Sequence, residues 1–290
     1  MDTDPADHEP HATQITVGDL TFDGLVGGPD DGSPVVLLHG FPQTSHSWRR
    51  QIVALSRAGR RAIAFDQRGY SRGARPRDDE AYRGHALAAD VLGVADALGI
   101  NGFDVVGHDW GGFVAWWLAA RHPERVTSVV SVSTPHPQAF ARALRHPEQR
   151  LRSAYMPWFR SARAADVLGA GGALGLRALF AISGLPGTYA RTYVDRARAD
   201  PGWLPAALAW YRANPMLGEL ASIADVTVPA THVWSTRDSA SGPYAAHLTG
   251  RFVSGPYRFE VLPGVSHWIP EMASDTLNRL LLDHLDGASE

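Results

Sequence analysis

Residues 105–123 read VVGHDWGGFVAWWLAARHP. The segment Gly107-His108-Asp109-Trp110-Gly111 joins an apolar run to a helical one. With serine at its centre, this pattern sets a nucleophile on a sharp strand-to-helix turn. Here the centre is Asp109. A carboxylic acid of reference pKa ~3.9 is already an anion at neutral pH, so it needs no base before it attacks. Attack on an ester would give a high-energy anhydride. Aspartate therefore selects a saturated carbon bearing a strained ring or a good leaving group, such as an epoxide or an alkyl halide. Two further groups follow along the chain: Asp238, which ends VWSTRD, and His267 in LPGVSHW. A carboxylate that orients a histidine makes a base able to activate water.

Such groups must be carried by elements that bring them together. Short apolar runs recur at 34–40, 61–69, 103–109, 126–135, 229–238 and 257–264, each closing in polar residues or glycine. Continuous apolar runs of this length suit strands buried on both faces of a parallel sheet. Two further strand-like runs flank Gly18-Asp19, a hairpin signal. Between the runs lie helical patterns: Leu87, Val91, Val94 and Leu98 share one face, and Leu277, Leu280, Leu281 and Leu285 another. The alternation predicts an α/β fold, a mostly parallel central sheet flanked by helices. Asp109, Asp238, His267 and the His39-Gly40-Phe41-Pro42 turn all fall at strand C-terminal ends, where such sheets place their sites.

Residues 137–221 break the rhythm, with helical spacing, many aromatics and no clear strand. They are expected to form a helical lid, most of their aromatics serving as its core. The α/β core then comprises 13–136 and 222–290, and residues 1–12 read as a disordered tail. The run GAGGALG from Gly169 marks a bend.

Composition narrows the function classes. The 290 residues are 44% hydrophobic and 20% charged, with a net charge of −3, which gives no reason to expect nucleic acid or an anionic membrane as partner. All 27 basic residues are arginine and cysteine is absent, which removes Schiff-base chemistry, thiol nucleophiles, disulfides and cysteine-based metal sites. No metal-ligand spacing such as H-E-x-x-H occurs, so neither metal nor cofactor is expected. No run of 18 uninterrupted apolar residues occurs and the N-terminus is not signal-like, so the cytoplasm is the default location. A monomer or homodimer acting on a small apolar or aromatic molecule is the expectation.

The stretches LLHGFPQTSHSWR, DQRGYSRGARP, VVGHDWGG, VSTPHP, LAWYRAN and LPGVSHWIPE, in this order over about residues 35–271, make the chain resemble the α/β-hydrolase superfamily in its epoxide-hydrolase-like and dehalogenase-like branch. The resemblance implies an α/β-hydrolase fold with a lid, Asp109 as nucleophile, and His267 as base with Asp238 as its orienting acid. The backbone N–H groups of Phe41 and Trp110 would hold the oxyanion. A rival position for the acid, in VSTPHP, holds no carboxylate. In the epoxide branch two lid tyrosines protonate the opening ring. Tyr211 in LAWYRAN matches one of them. The other position aligns with Trp158, and Tyr155 three residues earlier could replace it from the same helical face. Trp110 and Trp158 would equally suit a halide, which keeps a haloalkane dehalogenase open as an alternative. Phe41 in place of the asparagine usual in haloalkane dehalogenases favours the epoxide. A non-catalytic binding protein on the same fold is the third reading. His39, His108 and Arg68 read as structural groups around the site.

Overall fold

The computed structural model describes residues 8–288. Eight strands form one sheet: β1 (His11–Val17), β2 (Leu20–Gly27), β3 (Pro34–Leu38), β4 (Arg61–Phe65), β5 (Phe103–His108), β6 (Val126–Val132), β7 (Ala230–Arg237) and β8 (Tyr257–Ser266). Their order across the sheet is β1-β2-β4-β3-β5-β6-β7-β8. The β1–β2 and β2–β4 pairs are antiparallel and all others are parallel. Each apolar run of the sequence supplies one parallel strand, and Gly18, at φ 57°, turns the N-terminal hairpin.

The apolar runs are continuous because both faces are covered. Val35 and Leu37 point into one cluster, with α1 (Arg49–Arg57) and the C-terminal leucines 277, 280, 281 and 285. Val36 and Leu38 point into the other, with α2 (Gly84–Ala97) and α3 (Trp110–Arg121). This alternation follows from the two-residue period of a strand.

The expected tail ends earlier than residue 12. His11 and Ala12 pair with Val26 and Leu25 as the first residues of β1. Pairing with β2 satisfies their backbone groups regardless of side-chain polarity. The rest of that expectation, residues 1–7, lies outside the described residues.

Between β6 and β7, among the described residues, the chain forms no full strand, only an isolated bridge of Val226 with Val253, a 3-10 segment over Pro215–Ala221 and seven α-helices. They are α4 (Pro137–Ala143), α5 (Pro147–Arg152), α6 (Tyr155–Phe159), α7 (Ala164–Ser183), α8 (Gly187–Ala199), α9 (Trp203–Ala207) and α10 (Ala209–Ala213). Phe180, Tyr193, Trp203 and Trp210 are fully buried. Helix α7 is long and apolar enough to cross a bilayer by length and composition, although Asp166 and Arg177 interrupt its apolar sequence. It is broken at Ala170–Ala173, where Gly171, Gly172 and Ala173 have φ of 58, 72 and 65°. A break of that kind frees backbone groups that lipid would leave unpaired. After β7 come α11 (Pro243–Leu248), α12 (Ile269–Met272) and α13 (Ser274–Gly287).

Candidate active site

The fully buried strand β5 delivers Asp109 to the edge of the core, and α3 begins at the next residue. Asp109 has φ 51° and ψ −123°, a conformation that costs a non-glycine residue free energy. Its surroundings hold it there. A Cβ on Gly107 would collide with the carbonyl oxygen of Gly111, and one on Gly111 with that of Leu38. The two glycines let the turn close tightly enough to aim the carboxylate out of the sheet.

The three sequence-predicted residues meet at this point. Asp109 Oδ1 accepts a hydrogen bond from the Phe41 backbone N–H at 2.9 Å. Asp109 Oδ2 lies 3.5 Å from His267 Nε2. On the other side of the ring, His267 Nδ1 is 3.0 Å from both oxygens of Asp238. Asp238 is buried, and its Oδ1 also accepts the N–H groups of Ala240 and Ser241 at 2.7 and 2.9 Å. A carboxylate that accepts two backbone N–H groups accepts from His267 as well, which places a proton on Nδ1. Trp110 is the first residue of α3, where helix N–H groups lack an intrahelical partner and the dipole is positive.

The charges are strongly coupled. Burial would raise the Asp109 carboxyl, but His267, His108 and the Phe41 N–H outweigh it and keep it below its ordinary value. Burial would likewise push the His267 imidazole down, but Asp238 and Asp109 together raise it to about 10. An ion-paired imidazolium therefore faces the carboxylate of Asp109.

A cavity of ≈ 240 Å³ opens over Asp109 and His267. Its walls include Phe41, Phe159, Leu179, Ile182 and Trp268, with the phenols of Tyr155 and Tyr211. A second chamber of only ≈ 20 Å³ lies across Asp109 toward Phe113, Phe140 and Met156. The rings of Tyr155 and Tyr211 stand 6.3 Å apart on the wall of the same cavity. Burial raises both phenols well above their ordinary value.

Trp158 requires a correction. It is 40% exposed, packs on Phe159, and lines neither chamber. Helix α6 turns Tyr155, Met156 and Phe159 inward, which leaves Trp158 facing solvent. Tyr155 takes the place beside Tyr211 instead. The Trp110 indole packs edge-on to Tyr211 at 5.0 Å and does not line the larger cavity.

The structural groups fall where expected. His39 is buried, its Nδ1 3.0 Å from Gly40 O while Nε2 accepts from Gln67 N–H at 3.1 Å, so it braces the Phe41 loop. Arg68 forms a two-pronged pair with Asp90. His108 lies beneath His267, its Nε2 2.9 Å from the His267 carbonyl. The apolar wall from α7, Leu179 and Ile182, was not foreseen: the bend at Ala170–Ala173 redirects the helix, and helical spacing alone does not reveal direction. Gln43 and Glu271, within the HGFPQ and HWIPE stretches, were also unremarked, although buried polar residues beside catalytic positions are a usable signal. Among the described residues, no group of three or more His, Asp or Glu could hold a metal ion.

The profile of the alpha/beta hydrolase fold matches residues 33–272. The chain is 33% identical to the AB hydrolase superfamily protein YfhM of Bacillus subtilis, across 93% of this chain and 96% of that one. It is 31% identical to Epoxide hydrolase A of Mycobacterium tuberculosis, across 91% of this chain and 94% of that one. Among solved structures, the Bacillus megaterium epoxide hydrolase in complex with an inhibitor superposes with a TM-score of 0.85 at 26% identity, covering 94% of this chain and 100% of that one.

Proposed function

The chain belongs to the alpha/beta hydrolase fold family, and on that basis we propose that it opens epoxides to diols through an ester on Asp109. The observation that carries this reading is the pair of phenols, Tyr155 and Tyr211, lining the same cavity as the Asp109 carboxylate. Ring opening leaves an alkoxide that must be protonated or strongly hydrogen-bonded. Phenols with raised pKa values stay protonated at neutral pH and donate without bringing charge into the cavity. The Trp110 indole packs on Tyr211 and stays off the wall of the larger cavity, which supports the epoxide over the halide.

The steps balance as follows. Asp109 Oδ2 attacks an epoxide carbon, the C–O bond breaks, and a tyrosine proton passes to the departing oxygen. The product is a hydroxyalkyl ester of Asp109. His267 then takes a proton from water, and the hydroxide adds to the Asp109 carbonyl carbon. Oδ1 bears the negative charge, with the Phe41 N–H already 2.9 Å away and the Trp110 N–H at the helix start as second donor. Collapse releases the diol and regenerates the carboxylate; the tyrosinate has by then recovered its proton, through water, from the resting imidazolium of His267, so the proton His267 took from the attacking water restores that imidazolium.

Residues 137–221 act as the lid in this reading, since they supply both phenols. The unequal chambers suit an epoxide with one apolar, aryl-sized substituent in the larger space and little more than hydrogen at the other carbon. A panel of aryl and alkyl epoxides, haloalkanes, haloacetate and nitrophenyl esters tests the function. Turnover of aryl epoxides is expected. Turnover of halides without any epoxide contradicts it.

A further inference from the structure

Beneath the catalytic histidine runs a buried chain of polar groups that the proposed reaction does not use. Glu271, on α12, is 2% exposed. Its Oε1 lies 2.8 Å from the Tyr193 hydroxyl of α8 and, as the Gln43 amide is placed, 2.7 Å from its Nε2. Its Oε2 has no hydrogen-bond partner. The other end of the Gln43 amide is 2.8 Å from His108 Nδ1. His108 Nε2 is 2.9 Å from the carbonyl oxygen of His267, which also accepts from Ser133 Oγ at 2.8 Å. No water-exposed group intervenes.

The positions of the protons follow from donor and acceptor counting. The His267 carbonyl only accepts, so His108 must carry a proton on Nε2. A neutral His108 then has a bare, accepting Nδ1. Gln43 must then be flipped end for end from this placement, the two ends of an amide being assigned by their network, so that its NH2 faces His108 and its carbonyl oxygen faces Glu271. Two acceptors cannot share that contact, so Glu271 must donate. Its Oε1 does so as a hydroxyl while accepting from Tyr193, and the unpartnered Oε2 becomes an uncharged carbonyl oxygen rather than half of a buried anion. The competing arrangement, His108 protonated and Glu271 ionised, would put an imidazolium beside His267 at a ring distance of 4.8 Å. It would also bury a carboxylate with one oxygen bare.

We propose that Glu271 is a positioning residue that holds a proton at neutral pH and, through Gln43, keeps His108 in the Nε2–H form that anchors the backbone of His267. The environment agrees with this. Burial, against the pull of Tyr193, Gln43, its own backbone N–H and Arg49, pushes Glu271 up to about 7, and burial first, then the neighbouring His267, lowers His108 to about 4. The titratable and charged groups facing Glu271 are Tyr193 from α8 and Arg49 from α1, with His108 one amide further on. When Glu271 ionises, Gln43 must turn its NH2 back to the carboxylate. His108 then meets the amide oxygen, takes its proton on Nδ1, and releases the His267 carbonyl.

Glu271→Gln mimics the protonated acid, since its NH2 donates to Gln43 and its oxygen accepts from Tyr193, but it cannot ionise. The test has two parts. The first is an infrared titration of the free enzyme across pH 7, which needs no turnover. A protonated carboxyl band is expected in wild type, fading above pH 7 and absent from Glu271→Gln. The second is the pH profile of kcat/KM on an aryl epoxide. Wild type is expected to lose activity above pH 7, by up to about tenfold per pH unit. Glu271→Gln is expected to match wild type below pH 7 and to lack that limb, while Glu271→Ala is slow throughout. Absence of the protonated band below pH 7, or persistence of the limb in Glu271→Gln, overturns the proposal. If no epoxide is turned over, the epoxide reading fails while the infrared titration still decides the proton on Glu271.

Discussion

At the scale of single residues, the pairing of His267 with two carboxylates sets the order of events. With the imidazole raised to about 10, the resting enzyme holds a protonated histidine that is no base. In the proposed route, esterification of Asp109 would remove one of the two negative charges that raise the imidazole, so alkylation itself would turn His267 toward the base form. His267→Gln should therefore form the ester and stall. Mass spectrometry of the protein is expected to show one substrate mass added on Asp109, and normal turnover would point to another base. Tyr155→Phe and Tyr211→Phe each remove one donor and should slow ring opening by about 10²-fold or more, the range for loss of a general acid. Equal rates for either variant and wild type in single-turnover assays would exclude that tyrosine. Asp109, Asp238 and His267 were legible because their chemistry is carried by residue type at strand ends. The choice between Tyr155 and Trp158 was not, because residues three apart on a helix differ by only about 60° in direction, and packing decides which of them faces the cavity.

At the scale of elements, β5 and α3 hold Asp109 in a strained turn, and the helical insertion is clasped to the loop carrying Asp238. Gln149 of α5 donates to Ala240 O at 2.7 Å and accepts from Gly242 N–H at 2.8 Å, while Arg152 donates to the Asp238 carbonyl. The insertion thus sets both the phenols and the surroundings of the orienting acid. It also sets chamber size. Phe113→Ala should enlarge the smaller chamber and raise the turnover of 1,2-disubstituted epoxides relative to terminal ones, at a stability cost of about 3–5 kcal/mol. Denaturant unfolding and a two-substrate competition read both effects, and an unchanged ratio would mean that this chamber does not limit the substrate. The parallel strands and their covering helices could be read from apolar runs and helical faces. The bend in α7 was visible as a glycine-rich run, but the wall it builds over the cavity depends on packing between helices far apart in sequence.

At the scale of the whole molecule, buried titratable groups shape the response to pH. His136 is lowered to about 3, and His108, His232 and His284 to about 4, in each case chiefly by burial. A histidine lowered on folding binds its proton more readily in the unfolded chain, so stability is lost as pH falls below about 6.5 toward 4. Glu271 and His267 act in the opposite sense, because both are raised: stability declines as pH rises from 4.5 toward 7 for the acid, and from 6.5 toward 10 for the histidine. Thermal unfolding should therefore show greatest stability near neutrality, with a steep acid limb. A melting temperature that stays level from neutrality down to pH 4 would contradict neutral burial of these histidines. The reaction likewise belongs to the whole assembly, since the elbow, the Phe41 loop, the two ends of β7 and β8 and the insertion meet only in the folded chain. The most direct test of the ester route is a single turnover of an aryl epoxide in 18O-labelled water, with the enzyme in excess. The label is expected in the Asp109 carboxylate and not in the first diol released. Label appearing directly in that diol would mean that water, rather than Asp109, attacks the ring.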